Sequence, residues 1–167
     1  VLFITVYDDL MVAVIIGVIF SCLKSYKELI STIKSSHAHQ FFHLSNLKSI
    51  QQKYNPSDLN KLPIYILQPH GPLYFGSIEK LVQCYDNTKE HEILIIDMSK
   101  LTMIDISGIF ALEDLIKKIN SHKIKCFISH VKPSIKRKLE KVYFFNNIGH
   151  NNYSESIPPI VSNIIKS

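Results

Sequence analysis

Hydrophobic positions change their period along this chain, and each change marks an expected element. From Leu10 to Leu23 the run LMVAVIIGVIFSCL is uncharged and apolar on every side of a helix. A helix with one solvated face would show polar positions there. The run is shorter than the roughly 20 residues a lone membrane span needs. The apolar VLFITVY before it, broken by Asp8 and Asp9, makes up the length. Lys24, Lys27 and Lys34 follow, so the positive-inside tendency puts the remainder in the cytoplasm. Residues 1–24 are therefore expected to be a terminal transmembrane segment and the chain a carboxy-terminal piece of a longer membrane protein. A secretory signal would need a basic leading region, which is missing.

Residues 25–61 lose this pattern. They are rich in Ser, His, Asn, Gln and Lys, with turn signals at Asn55-Pro56-Ser57 and Pro63. They read as a polar cytoplasmic linker, leaving 62–167 as the globular domain. His37, His39 and His43 stand at H-x-H-x3-H, but no cysteine or acid accompanies them, so they read as part of the tether.

From Pro63 onward strand and helix patterns alternate. IYIL at Ile64–Leu67 is a short β-rich run, and GPLYFGS turns the chain with Ser77 as a helix N-cap. Ile78, Leu81, Val82 and Tyr85 then recur on one helical face. ILII at Ile93–Ile96 is apolar on both faces, as a central parallel strand should be. After MIDISG, the residues Ile109, Leu112, Ile116 and Ile119 form a second helical stripe, with Glu113 and Lys117 on its opposite face. CFISHV at Cys126–Val131 reads as another strand. Helices are expected over Ser134–Tyr143 and Ser156–Ile165, the latter with Pro158 and Pro159 in its first turn. Strand–helix alternation of this kind predicts an α/β sheet with right-handed crossover helices.

Composition supports a packed core, with 46% hydrophobic and 20% charged residues. Cys22, Cys84 and Cys126 have neither metal-ligand spacing nor the even number of a disulfide framework, and read as small buried hydrophobes. The net charge of +5 is concentrated between Lys117 and Lys141. That stretch reads as a solvated lysine-rich surface, and no nucleic-acid role is assigned to it.

MIDISG lies between what reads as a central strand and a helix, where α/β proteins place functional loops. Either Asp105 or Ser107 can accept from the free N–H groups of the helix start, and Gly108 allows close backbone approach. A hydroxyl there would also be well placed for phosphorylation. A hydrolase triad is disfavoured because DISGI lacks a G-x-S-x-G elbow. Asp97 ends a strand and reads as a cap on the following loop. No catalytic residue, cofactor or metal is assigned.

Four stretches, ILQPHGPLYFGSIEKL, ILIIDMSKLTMIDISGIFALEDL, KIKCFISHVKPSIKRKLEK and NNIGHNNYSESI, together resemble a STAS domain, the module shared by anti-sigma factor antagonists and SulP anion transporters. FITVYDDLMVAVIIGVIFSCL resembles the last membrane segment of the SulP transporters, matching at Asp9, Leu10, Ala13, Val14, Gly17 and Val18. The resemblance implies a STAS-type α/β fold preceded by a single transmembrane helix. It implies a non-enzymatic, cytoplasmic regulatory and protein-interaction domain of a secondary transporter of sulfate-like anions or bicarbonate, in the inner membrane and without its transport core. The alternative is a soluble anti-sigma factor antagonist switched by serine phosphorylation.

Carried across, Asp105, Ser107 and Gly108 become the candidate phosphoacceptor or regulatory loop, with Ile106 in place of the hydroxyl that often precedes the acceptor. Asp97, Ser99, Ile106 and Ile109 become candidate partner contacts. The implied partners are the membrane, the transporter's transmembrane core, other cytoplasmic regulators or a second STAS domain. Nucleotide binding is the weakest implication, because no Walker-type loop is present.

Overall fold

The computed structural model describes residues 10–34, 39–85 and 90–166. The chain divides into two units, residues 1–37 and 38–167. In the first unit, helix α1 runs Leu10–Lys34. The second contains β1 (Gln40–His43), α2 (Lys48–Gln51), α3 (Pro56–Leu59), β2 (Ile64–Gln68), β3 (Gly71–Leu73), α4 (Phe75–Cys84), β4 (Ile93–Asp97), β5 (Leu101–Ile104), α5 (Ile106–Ser121), β6 (Lys125–Ser129), α6 (Pro133–Lys141), α7 (Phe144–Ile148), β7 (Tyr153–Ser154) and α8 (Ile157–Lys166).

Five strands form one sheet in the order β1-β2-β4-β6-β7. β1 is antiparallel to β2, and the remaining neighbours are parallel. β4 sits at the centre, and its alternation explains why ILII is apolar throughout. Leu94 and Ile96 enter a core on one face with Ile109, Leu112, Ile116, Ile135 and Leu139. Ile93 and Ile95 enter a core on the other face with Leu44, Ile50, Leu59, Ile157 and Ile160. A strand buried on both sides must be apolar at every position.

Five expectations change. The span expected over residues 1–24 is not shown, because among the described residues no helix is long and apolar enough to cross a membrane. The uncharged stretch of α1 ends at Leu23, short of the roughly 20 residues required, and the residues expected to extend it lie outside those described. The polar stretch expected as linker is folded from residue 40 onward. β1 forms an edge of the main sheet, and Leu44, Ile50 and Leu59 are fully buried. GPL is a strand rather than a turn. Ser77 is consequently not the N-cap of α4: Tyr74 takes that position, and Ser77 Oγ accepts from the Tyr74 N–H at 2.9 Å.

Finally, MIDISG does not follow a central strand. Its first residues finish β5, which pairs in parallel with β3 in a separate two-stranded sheet. Gly71 opens β3 at φ 75°, a left-handed conformation that glycine adopts without Cβ strain. The chain can therefore change direction as it leaves the main sheet.

Candidate functional site

Two neighbouring arrangements stand at the carboxyl ends of the parallel strands. The first is the turn from β5 into α5. Asp105 is the N-cap of α5, and its Oδ1 accepts from the Gly108 N–H at 2.6 Å and from Ser107 Oγ at 2.9 Å. The capping role is thus filled by the aspartate, while Ser107 is half-buried and donates to it. Asp105→Ala should cost about 1 kcal/mol of stability, the usual effect of losing an N-cap, read as a lower urea midpoint at unchanged slope.

Gly108 answers to a close approach. A Cβ there would lie 2.5 Å from the Leu73 carbonyl oxygen, while that same carbonyl accepts from the Asp105 N–H at 3.2 Å. The paired strands therefore bring the start of α5 directly against the end of β3. Pro72 faces Met103 and Leu73 faces Ile104 in the register, and α4 packs on α5. Phe75, Met103, Ile106 and Phe110 surround this end of the domain and are 66%, 48%, 62% and 52% exposed. Such concentrated apolar exposure marks an interaction surface more often than isolated surface hydrophobes do.

The second arrangement stands at the ends of β2, β4 and β6. Asp97, at the end of β4, is only 3% exposed. Its Oδ1 accepts from the Ser99 N–H and from His130 Nδ1, each at 3.0 Å. Its Oδ2 accepts from Gln68 Nε2 at 2.6 Å and Ser99 Oγ at 3.1 Å. Because the Gln68 amide nitrogen faces Asp97, its Oε1 is left to accept from His70 Nε2 at 3.0 Å. The His70 N–H in turn donates to His39 Nδ1 at 3.1 Å. Burial pushes the Asp97 carboxyl up, but the bonds from His130, the Ser99 amide and Gln68 outweigh it and hold it below its ordinary value. The bond to Asp97 holds the His130 imidazole above its ordinary value, against the opposing effect of burial. Ser129, opposite Asp97 in the β4–β6 register, is fully buried, and its Oγ has no hydrogen-bond partner among the described residues.

Of the residues singled out in the sequence, the structure brings Asp105, Ser107 and Gly108 together, with Ile106 exposed beside them. Asp97 caps the Ser99 amide as expected. Asp97 and Ile109, however, are 3% and 2% exposed, so neither presents a side chain to a partner. One belongs to the polar network and the other to the core. Glu113 is also buried, at 6%. It accepts from Asn147 while pairing with Lys117 at 2.7 Å, so it faces the α5–α7 junction rather than solvent.

The expected lysine-rich surface is partly structural: Lys132 and Lys138 donate to the β5 carbonyls of Leu101 and Ile104 at 2.8 and 3.0 Å. Cys126 is buried, its thiol pushed up to about 12, whereas Cys22 is exposed and departs from expectation. His39 and His43 serve the domain's hydrogen bonding, and His37 lies outside the described residues. No metal-holding group of side chains occurs among the described residues. The network residues Gln68, His70 and His130 were missed in the sequence, although the strand endings ILQPH, IIDMS and ISH each place polar groups directly after an apolar run.

Residues 56–158 match the STAS domain family. Sulfate transporter 1.1 of Arabidopsis thaliana is 25% identical over 155 residues, covering 84% of this chain and 24% of that protein. The chain thus spans about a quarter of that relative's length. A sulfate transporter family protein from Wolinella succinogenes superposes with a TM-score of 0.56 at 20% identity, covering 64% of this chain and 90% of that one. The murine Slc26a9 anion transporter in its inward-facing state superposes with a TM-score of 0.64 at 17% identity, covering 99% of this chain and 27% of that one. The likeness to these two structures is one of fold. The sequence match to the family covers most of the folded unit, and the chain belongs to the STAS domain family, with homology to the SulP sulfate transporters.

Proposed function

We propose that this chain is a non-catalytic regulatory and docking module of a SulP-type transporter of sulfate-like anions. The STAS domain would lie on the cytoplasmic side of the inner membrane, bound to the transporter's transmembrane core. The observation that carries this reading is the joint exposure of Phe75 at the start of α4, Met103 on β5, and Ile106 and Phe110 in the first turns of α5. A second apolar surface supports membrane association: Val14, Ile15, Val18, Ile19, Phe20 and Leu23 of α1 are all exposed. In the whole protein that helix would be covered by lipid or by the transmembrane core.

Replacing Ile106 with glutamate puts a charge into the centre of the proposed contact. It should weaken association with the membrane-embedded part of the transporter by roughly tenfold or more, with the thermal midpoint held. Ser107→Asp should also change association and leave the fold intact, because the added charge sits at a helix amino terminus. The measurement is binding of the purified variants to detergent-solubilised transporter membrane domain. Unchanged affinity in both would remove this face as the contact. The rival anti-sigma antagonist reading requires a chain that stays in the aqueous fraction without detergent, so membrane partitioning separates the two.

A further inference from the structure

The polar network at the strand ends ties together three of the segments that leave the main sheet. Gln68 and His70 lead from β2 into β3. Asp97 and the Met98–Lys100 turn lead from β4 into β5. Ser129 and His130 lead from β6 into α6. His130 is held at φ 54°, a left-handed conformation uncommon for residues other than glycine and costly unless the surroundings enforce it. In that conformation its Nδ1–H meets Asp97 at 3.0 Å. Two residues on, Lys132 reaches the first carbonyl of β5.

We propose that His130 and Asp97 form a proton-controlled latch that fixes the β3–β5 unit, and with it the exposed apolar face used for docking. This rests on the docking reading above and adds regulation to it. Three of the four donors to Asp97 are neutral groups that do not titrate near neutrality; His130 is the one whose charge can change there. Protonated His130 gives the buried carboxylate a counter-charge. Once His130 loses its proton, the carboxylate remains buried among neutral donors, and the roots of β3 and β5 are held less tightly.

The charged or titratable groups on the elements around His130 include Asp97 on β4, Lys100 in its following turn, and Lys136, Arg137, Lys138, Glu140 and Lys141 on α6. His70 and His39 lie beyond Gln68, Lys132 is on the same segment, and Glu155 follows β7. Among the described residues Asp97 alone is within ion-pairing distance of His130. The direction follows from His130 being raised by its bond to Asp97. Its stabilising contribution is complete below the unfolded-state value and is lost as pH rises through the folded-state value.

The full 1–167 chain in detergent micelles tests this without any docking partner. Histidine titrations are followed by NMR, and amide exchange of β5 and the first turn of α5 is measured at about pH 6 and pH 8 and corrected for intrinsic chemistry. Protection of those amides should fall roughly fivefold on the alkaline side, with a midpoint matching the His130 titration. The His130→Asn variant, which tolerates the left-handed conformation and retains a donor but cannot titrate, should lose that dependence.

A wild-type midpoint that follows His70 or His39, or protection that does not change with pH, overturns the latch. So does an unaltered dependence in His130→Asn. The wild-type comparison stands even if that variant folds poorly. Loss of the latch would leave the Ile106→Glu binding result untouched, so the two readings fail separately.

Discussion

Gly108→Ala should destabilise the domain by about 2–4 kcal/mol, a large effect for adding one methyl group. In an ordinary helix the same change would help, by about 1 kcal/mol, because alanine is the better helix former. Here the new Cβ would lie 2.5 Å from the Leu73 oxygen and 2.9 Å from its carbon, with Asp105 Oδ1 at 3.1 Å. Two of those atoms are backbone, so no side-chain rotation relieves the clash. Either β3 separates from the start of α5 or the helix cap moves. Leu73 is fully buried, so moving β3 also opens the core. Urea unfolding monitored by circular dichroism gives the loss directly, and a variant as stable as the parent would show that the two segments are not held this close.

Asp97→Ala should cost about 2–3 kcal/mol, the order for removing a buried charged acceptor. A fully buried ion pair would cost more, but the His130 side chain is 36% exposed. Four donors lose their acceptor at once: Gln68, the Ser99 amide, the Ser99 hydroxyl and His130. Each buried donor left without a partner adds its own desolvation penalty, whereas the partly exposed His130 can turn to solvent. The alanine variant should also let the His130 titration fall back towards its ordinary value, because the bond that raises it is gone. Asp97→Asn keeps one acceptor oxygen and the side-chain volume, and should be intermediate. The sign of the pH effect distinguishes this account from a generic cavity. The Asp97 carboxylate is lowered, so its contribution is present above the unfolded carboxylate range and lost as pH falls through its folded-state value. Acid unfolding of the parent should include that loss, and the alanine variant should lack it.

The unequal legibility of the sequence has a physical explanation in the residues themselves. β2, β4 and β6 were readable because each is an apolar run long enough to cross a buried sheet, and α5 because Ile109, Leu112, Ile116 and Ile119 keep helical spacing. β3 and β5 were not. Gly71-Pro72-Leu73 contains two poor strand formers, and Thr102 and Met103 are exposed between buried Leu101 and Ile104. These strands exist through pairing with each other, a long-range fact that no local pattern contains. Residues 40–61 were hidden differently: Leu44, Ile50 and Leu59 are scattered among polar residues, so three core positions looked like parts of a tether. Asp105 and Gly108 were legible as a cap and a close approach, although Ser107 could not be separated from Asp105 as the capping group. His130 carried no signal, because its meaning comes from Asp97 on another strand and from a left-handed backbone that histidine rarely adopts.

The central claim is that the amino-terminal ends of α4 and α5 face a protein partner at the membrane. Placing the photoreactive residue p-benzoylphenylalanine at position 106 and irradiating intact cells tests it most directly. The account predicts one dominant adduct that joins this chain to the membrane-embedded part of an anion transporter and disappears when Phe75 and Phe110 are both changed to serine. Irradiation that yields only uncoupled chain, or adducts unaffected by those two changes, would contradict it.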